Sequence, residues 1–171
     1  MEKLKRWIYG KIALFVDVAN LFYLQKRLKW KISYQKLYQF FDKNFSLYKA
    51  FVYTAYLPQN ENQQRFIRML RKTGYTVRSK PIKNIKLSSK TSKWKGNLDV
   101  ELTIDAIEHI RRYDTFVLIS GDSDFASLID YLKSKNKQTI VISGKGSISK
   151  ELIERAKFVN IKKLKEFIEL A

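Results

Sequence analysis

The sequence contains no cysteine and a single histidine, and both features narrow its chemistry. Among 171 residues there is no cysteine, and the one histidine is His109. Without cysteine the protein can form no disulfide framework, no thiolate zinc site and no cysteine nucleophile. No Ser/His or Cys/His set is present, so we expect no covalent enzyme intermediate. The lack of cysteine fits a reducing cytoplasm, which is the location we expect.

The sequence also lacks a domain linker, an internal repeat and a long uninterrupted apolar run. The apolar segment near the N-terminus is broken by Asp17 and Asn20 before it could form a signal sequence or cross a membrane. A hydrophobic content of 45% is enough for one ordinary core. We therefore expect one domain over residues 1–171, with a core from about 10 to 156, a C-terminal helical tail from 157 to 171, and no membrane partner.

Acidic residues are scarce, and one long segment contains none. The chain has 34 Lys and Arg against 16 Asp and Glu, a formal net charge of +18. Between residues 65 and 95 there is no acid at all, and the interleaved Tyr75 and Trp94 could stack on bases. A strong basic excess favours a polyanionic partner, because neutralised phosphates release counterions. The alternative is an ordinary solvated surface.

Apolar β-prone runs alternate with amphipathic segments along the chain. Short apolar runs predict strands at 12–16, 50–57, 75–82, 115–119 and 138–142, with a further short strand at 158–161. Helical spacing of apolar residues follows each of these strands. This alternation predicts an α/β fold in three layers, with a central, mainly parallel sheet of about five strands between helices. Residues 83–96 show neither period and predict a mobile basic loop.

Aspartates follow two of the predicted strands. Asp17 ends the first strand, and Asp122 and Asp124 follow the fourth, in LISGDSDF. In open α/β sheets ligands bind beyond the carboxyl ends of the strands, so these acids meet at one edge if the two strands are neighbours. Asp99 begins the helix that precedes the fourth strand. Asp105 lies about 240° further around that helix, so the two cannot face the cluster equally well.

Two explanations of these aspartates are open. Each acid alone could cap a helix, a contact worth about 1 kcal/mol. One helix start needs only one cap, however, and crowded carboxylates repel each other unless a cation offsets their charge. Oxygen ligands without histidine or cysteine select Mg²⁺ or Mn²⁺ rather than zinc. A metal held by acids in a strongly basic protein suits phosphodiester cleavage.

Three segments then resemble one known family. The segments FVDVANLFY, KGNLDVELTIDAI and VLISGDSDFASLIDYLKSKNKQTIVIS resemble the NYN domain, the LabA-like or DUF88 branch of the PIN-like ribonucleases. The resemblance implies a PIN-like Rossmannoid α/β/α sandwich, a divalent-metal site and RNA cleavage. It implies Asp17, Asp99, Asp122 and Asp124 as catalytic metal ligands, with Asn20 and Asp105 supporting the metal.

The expected RNA-facing wall combines the basic segment with neighbouring side chains. It comprises Arg78, Lys83, Lys86, Lys90, Lys93 and Lys95, with Trp94 as a base-stacking candidate and Ser120 and Ser123 as hydroxyls that could orient a ligand or water. We expect the RNA to be single-stranded, and a homodimer is a further expectation.

Two other functions compete with a metal-dependent endoribonuclease. The first is a non-catalytic RNA-binding module that keeps the acidic pocket. The second is a phosphatase, but a haloacid-dehalogenase-like enzyme needs a second aspartate two places after the first, where this chain has Ala19.

Overall fold

The computed structural model contains one six-stranded sheet and one separate hairpin. It describes residues 2–86 and 92–170, and for residues 83–86 and 92–95 the backbone alone. The strands are β1 (Lys11–Asp17), β2 (Ser46–Tyr56), β3 (Thr76–Pro81), β4 (Lys83–Lys86), β5 (Ser92–Lys95), β6 (Thr115–Ile119), β7 (Gln138–Ser143) and β8 (Lys157–Asn160). The sheet runs in the order β3-β2-β1-β6-β7-β8 with every pair parallel, and β4 and β5 pair antiparallel.

Helices cover both faces of the sheet. They are α1 (Glu2–Trp7), α2 (Val18–Leu28), α3 (Tyr34–Asn44), α4 (Glu61–Thr73), α5 (Asp99–Glu108), α6 (Ala126–Ser134), α7 (Lys150–Arg155) and α8 (Lys165–Ile168), with 3₁₀ turns at Ile110–Arg112, Ser123–Phe125 and Ile161–Leu164. In this part of the chain no helix is both long enough and apolar enough to cross a bilayer.

Alternate side chains of each central strand enter two separate cores. Ile12, Leu14 and Val16 of β1 pack with residues of α1, α2, α3, α4 and α8, whereas Ala13 and Phe15 pack with α5, α6 and α7. Both sets are buried because a strand inside a parallel sheet is covered on both faces. The predicted α/β class, with its three layers and parallel sheet, is confirmed.

The structure corrects two sequence expectations. The sheet has six strands rather than about five, because the short strand predicted at 158–161 forms as Lys157–Asn160 and joins the sheet beside β7. Ile161, Leu164 and Ile168, which follow this strand, are fully buried. The basic segment after β3 holds a hairpin where we predicted a loop, since two four-residue strands are too short to show a period.

The strand order places a switch point between β1 and β6. From β1 the chain builds outward through β2 and β3, and from β6 it builds outward in the other direction through β7 and β8. The loops after β1 and β6 therefore diverge and leave a crevice at the carboxyl edge of the sheet, where α/β proteins bind ligands. Asp17 lies at one side of this crevice, and residues 120–124 at the other.

Two ion pairs from β3 fix helix α5, whose first residue is Asp99. The buried Asp105 carboxylate accepts hydrogen bonds from Arg78 Nε at 2.9 Å, Arg78 Nη2 at 2.7 Å and the Tyr53 hydroxyl at 2.9 Å. One turn closer to the crevice, Lys80 Nζ donates to Glu101 Oε1 at 2.8 Å. Contacts at two successive turns restrict both the position and the rotation of α5, and hence the direction in which Asp99 points.

The contact between Arg78 and Asp105 is expected to stabilise the fold measurably. Arg78→Met leaves a carboxylate that is only 4% exposed without its cation, and hydrogen bonds to a charged group contribute about 1–3 kcal/mol each. Urea denaturation should show a loss of that order. The control is Arg65→Met, which breaks the Arg65–Glu61 pair, 66% and 80% exposed, and should change stability by less than about 0.5 kcal/mol. Equal losses would contradict this role for Arg78.

Candidate metal centre

Three carboxylates converge at the carboxyl edge of the sheet. One oxygen each from Asp99, Asp122 and Asp124 lie within 4.8 Å of one another. Asp99 comes from the start of α5, and the other two come from the turn after β6. Oxygens that ligate one cation at about 2.0–2.6 Å are separated by at most about 4–5 Å. The spacing therefore suits a single divalent ion.

Asp17 is fixed beside this group by two contacts. Its Oδ1 accepts from the backbone N of Asn20 at 3.1 Å, which caps α2, and its Oδ2 accepts from the Ser120 hydroxyl at 3.0 Å. The negative charges of Asp99 and Asp122 contribute to raising its pKa, so all three acids share one field. A carboxylate offers about four lone-pair sites, so these two contacts leave Asp17 able to bind a cation.

Hydrogen bonds connect the turn after β6 to α2, and the side chains that make them were each predicted from the sequence as site residues. Asn20 Oδ1 accepts from the Gly121 backbone N at 3.0 Å, and the Ser120 hydroxyl accepts from the Asp122 N at 3.2 Å. Asp122 Oδ1 in turn accepts from the Asp124 N at 3.0 Å. The two sides of the crevice are thus one hydrogen-bonded unit. Ser120 is 1% exposed, and its hydroxyl contacts Asp17 and the Asp122 backbone.

Gly121 has no room for a side chain. A β carbon built there would lie 1.9 Å from the Ser147 carbonyl oxygen, in the loop after β7. Gly121 O also accepts from the Ser149 backbone N at 2.9 Å. Close backbone approach of this kind requires glycine.

Asn97 is a site residue that sequence reasoning missed. Its side-chain amide Nδ2 donates to Asp99 Oδ2, and its Oδ1 accepts from the Asp99 backbone N at 2.7 Å. This two-way contact orients the Asp99 carboxylate where α5 begins. The available signal was the asparagine two places before Asp99 in KGNLD, since asparagine commonly bonds backbone groups two residues on.

The electrostatics of the group favour a bound cation. Burial raises the pKa of Asp17 above its usual value, against the two hydrogen bonds that lower it, and nearby Asp99 and Asp122 raise it further. Burial likewise raises the pKa of Asp99, opposed by Asn97, while Asp122, Asp124 and Glu101 add to the increase. Both shifts reflect carboxylates whose charges are poorly compensated by the described side chains. A divalent cation supplies that compensation, and the all-oxygen donor set fits Mg²⁺ or Mn²⁺.

Asp105 lies in a different environment from the other predicted acids. Arg78 and Tyr53 occupy its oxygens, and it groups in space with Glu108 and His109 rather than with Asp99. His109 Nδ1 is already hydrogen-bonded to the Tyr48 hydroxyl at 2.9 Å. These existing partners indicate that Asp105, Glu108 and His109 form structural contacts rather than a metal site. Arg78, predicted to face RNA, also has this internal partner.

The remaining predicted RNA-binding residues are mostly in the hairpin region. Lys90 and the side chains of Lys83, Lys86, Lys93, Trp94 and Lys95 lie outside the described residues. The hairpin itself leaves the sheet after β3 and returns just before Asp99. Its base is therefore at the edge that carries the acids. Ser123 is exposed at the same edge.

The chain is similar to a known domain family and to known proteins. The family model of the NYN domain matches residues 11–162. The chain is 32% identical to the low amplitude and bright protein LabA of Synechococcus elongatus, over 94% of this chain and 88% of that protein. It also resembles the crystal structure of a protein of unknown function from Vibrio parahaemolyticus, with a TM-score of 0.77, 29% identity, and coverage of 94% and 96% of the two chains.

Replacing Gly121 should disturb the centre and the fold together. Gly121→Ala places its β carbon against the Ser147 carbonyl, so the backbone must move, at a cost of about 1–3 kcal/mol. Urea denaturation measures the loss, and Ser123→Ala, an exposed change in the same turn, should stay within about 0.5 kcal/mol. Equal stability of Gly121→Ala and wild type would contradict the close packing.

Neutralising Asp17 should stabilise the metal-free protein. Because its folded pKa is raised, Asp17 contributes stability that is complete below the unfolded value of 3.8 and is lost as the pH rises through the folded value. Asp17→Asn imitates the protonated acid. In EDTA its melting temperature should exceed that of the wild type near neutral pH, and the two should converge as the pH falls.

With Mn²⁺ added near neutral pH, the wild type should have a higher melting temperature than Asp17→Asn, because the wild type then gains the free energy of metal binding. Asp42→Asn, a change of an exposed acid of α3, is the charge-matched control and should follow the wild type in both conditions. A lower melting temperature of Asp17→Asn in EDTA would contradict the inferred repulsion.

Proposed function

The chain belongs to the NYN domain family of PIN-like nucleases, and from this premise we propose that it is a metal-dependent endoribonuclease acting on single-stranded RNA. The convergence of Asp99, Asp122 and Asp124 within 4.8 Å at the switch point of the sheet is the observation that carries the proposal. Asp17 completes this acid cluster, which we define as Asp17, Asp99, Asp122 and Asp124.

The donor set determines the chemistry that we propose. Mg²⁺ or Mn²⁺, when bound, supplies Lewis-acid polarisation of the scissile phosphate and activation of the attacking water. The acid cluster would hold the ion, with Ser120 and Asn20 keeping the Asp17 carboxylate in position and Asn97 keeping that of Asp99, through the contacts described above. Such outer contacts restrict ligand rotation and maintain site geometry.

Basic residues around the crevice support a phosphate-bearing substrate. Lys145 is exposed in the loop whose Ser147 carbonyl packs against Gly121, and the basic hairpin starts from the same edge. With a net charge of +18, the long-range field attracts a polyanion, and the acid cluster repels one unless a cation is present. A bound cation is thus expected to strengthen RNA binding without being required for it. A cytoplasmic location and a homodimer stay predictions.

Cleavage of RNA should depend on the acid cluster. Asp122→Asn and Asp124→Asn each remove a ligand charge, and loss even of a group that supports a metal ligand costs about 10- to 100-fold in activity. With Mn²⁺ and a labelled single-stranded RNA, we expect both variants to cleave at least about 100-fold more slowly than the wild type. EDTA should abolish wild-type cleavage.

The control is again Asp42→Asn, which makes the same charge change outside the cluster and should cleave normally. Equal cleavage by the wild type and Asp122→Asn would identify a contaminating nuclease and remove the proposal. Salt-sensitive RNA binding without cleavage in any divalent ion would instead favour the non-catalytic binding module. Preferential turnover of a small phosphoester would favour the phosphatase.

A further inference from the structure

We propose that Phe22, Tyr23 and Lys26 of α2 form a stacking platform for an unpaired base of a nucleic acid strand. The inference rests on the proposed function, because the strand that it serves is the one whose backbone passes the acid cluster. It adds a binding site on the exposed face of α2, and it gives a physical reason for a single-stranded substrate.

The two rings are exposed, and the packing of the fold does not account for them. Phe22 is 53% exposed and Tyr23 is 66% exposed, whereas Leu21 and Leu24 form the buried face of the same helix. The ring centroids lie 5.7 Å apart at an interplanar angle of 76°. This edge-to-face contact leaves ring surface available to a third partner.

The platform lies next to the acid cluster along α2. This helix begins directly after Asp17, and Asn20 in its first turn accepts the Gly121 hydrogen bond. At about 1.5 Å per residue, Tyr23 is only about 4–5 Å further along the axis than Asn20, and it is rotated from it by about 60°. Phe22 is rotated from Asn20 by about 160°, so Tyr23 is the ring on the side of the helix closer to the crevice.

The charge around the rings favours nucleic acid over a protein partner. Lys26 Nζ lies 4.5 Å from the Phe22 centroid and 5.4 Å from the Tyr23 centroid. Residues 18–41 contain no acid, and they contain the basic residues Lys26, Arg27, Lys29, Lys31 and Lys36. Aromatic faces beside basic groups are what a single strand requires, with bases on the rings and phosphates on the cations.

A second exposed apolar surface in the chain has a different character. Val100 and Ile104 of α5 are 69% and 56% exposed, but they are aliphatic, and α5 carries four acids and no basic residue. An RNA strand would be repelled there. The contrast shows that exposed apolar residues alone do not mark the platform, whose distinguishing features are aromatic rings and a surrounding sequence segment, residues 18–41, that is basic and contains no acid.

The test separates stacking from phosphate binding by using two strands of equal charge. One is an oligouridylate of about 12 nucleotides, within the usual range of single-strand sites, and the other is an abasic ribose-phosphate strand of the same length. Fluorescence anisotropy in EDTA measures the dissociation constant of each strand without cleavage. The wild type is compared with Phe22→Ala/Tyr23→Ala, with Tyr23→Trp, and with the control Tyr131→Ala.

Tyr131 is a matched control because it is also exposed and has Lys135 Nζ at 5.5 Å from its ring centroid, but it lies on α6. Removing both platform rings should weaken oligouridylate binding about 5- to 150-fold, the range reported by alanine substitution for one stacked base. Abasic binding should be unchanged. Tyr23→Trp should retain oligouridylate binding, and Tyr131→Ala should bind both strands like the wild type.

Unchanged oligouridylate binding by the double variant, or equal loss of both strands, overturns the platform. If the wild type is a dimer and the double variant is a monomer with unchanged RNA binding, a second copy of the chain occupies the platform, and the proposal is also overturned. These results are separate from the metal-dependent cleavage comparison of wild type and Asp122→Asn. If that comparison fails while the stacking difference persists, the nuclease proposal falls and the platform stands.

Discussion

The pairing of β1 with β6 is the constraint on which the rest of the structure depends. The two strands are parallel from Ile12 opposite Thr115 to Val16 opposite Ile119, and the paired residues are completely or almost completely buried. Because side chains alternate between two cores, a slip of one residue would move every apolar group to the wrong face. The core therefore determines the register. With that register fixed, Asp17 and Ser120 leave their strands side by side and their side chains can meet.

The two ends of helix α5 show how one residue type takes two roles. Asp105 is more deeply buried than Asp99, yet it has Arg78 and Tyr53 as partners, and it holds the helix against the sheet. Among the described residues the hydrogen-bond partner of the Asp99 carboxylate is the neutral Asn97, and burial together with further nearby acids raises its pKa. A compensated carboxylate stabilises the fold, whereas an uncompensated one retains affinity for a cation. Anchoring the first carboxylate aligns the second, which connects the stability of the helix to the geometry of the candidate centre.

Much of this arrangement could be predicted from the sequence, because the strongest local patterns are also the ones that define it. Five apolar runs indicated the main strands, and the acids that follow β1 and β6 indicated the edge where they meet. The hairpin of β4 and β5 could not be predicted, since four-residue strands rich in lysine carry no hydrophobic period. The contact between Asp105 and Arg78 could not be predicted either. Arg78 is 27 residues away, and only the adjacency of β3 and α5 in space brings the two together.

The other helix caps in the chain bear on whether Asp17 and Asp122 serve as caps alone or also as metal ligands. Asp17 and Asp122 do cap, as the simpler explanation requires, each through one side-chain oxygen. Elsewhere the side chains that cap helices are neutral, namely Ser33, Asn60, Ser149 and Asn160. Serine and asparagine cap as well as aspartate, so capping alone does not require negative charge at these two positions. At the first of these positions the charges of Asp99 and Asp122 add to the effect of burial in raising the pKa of Asp17. Negative charge thus lies where nearby carboxylates make it unfavourable in the metal-free protein, and a bound cation would account for that placement.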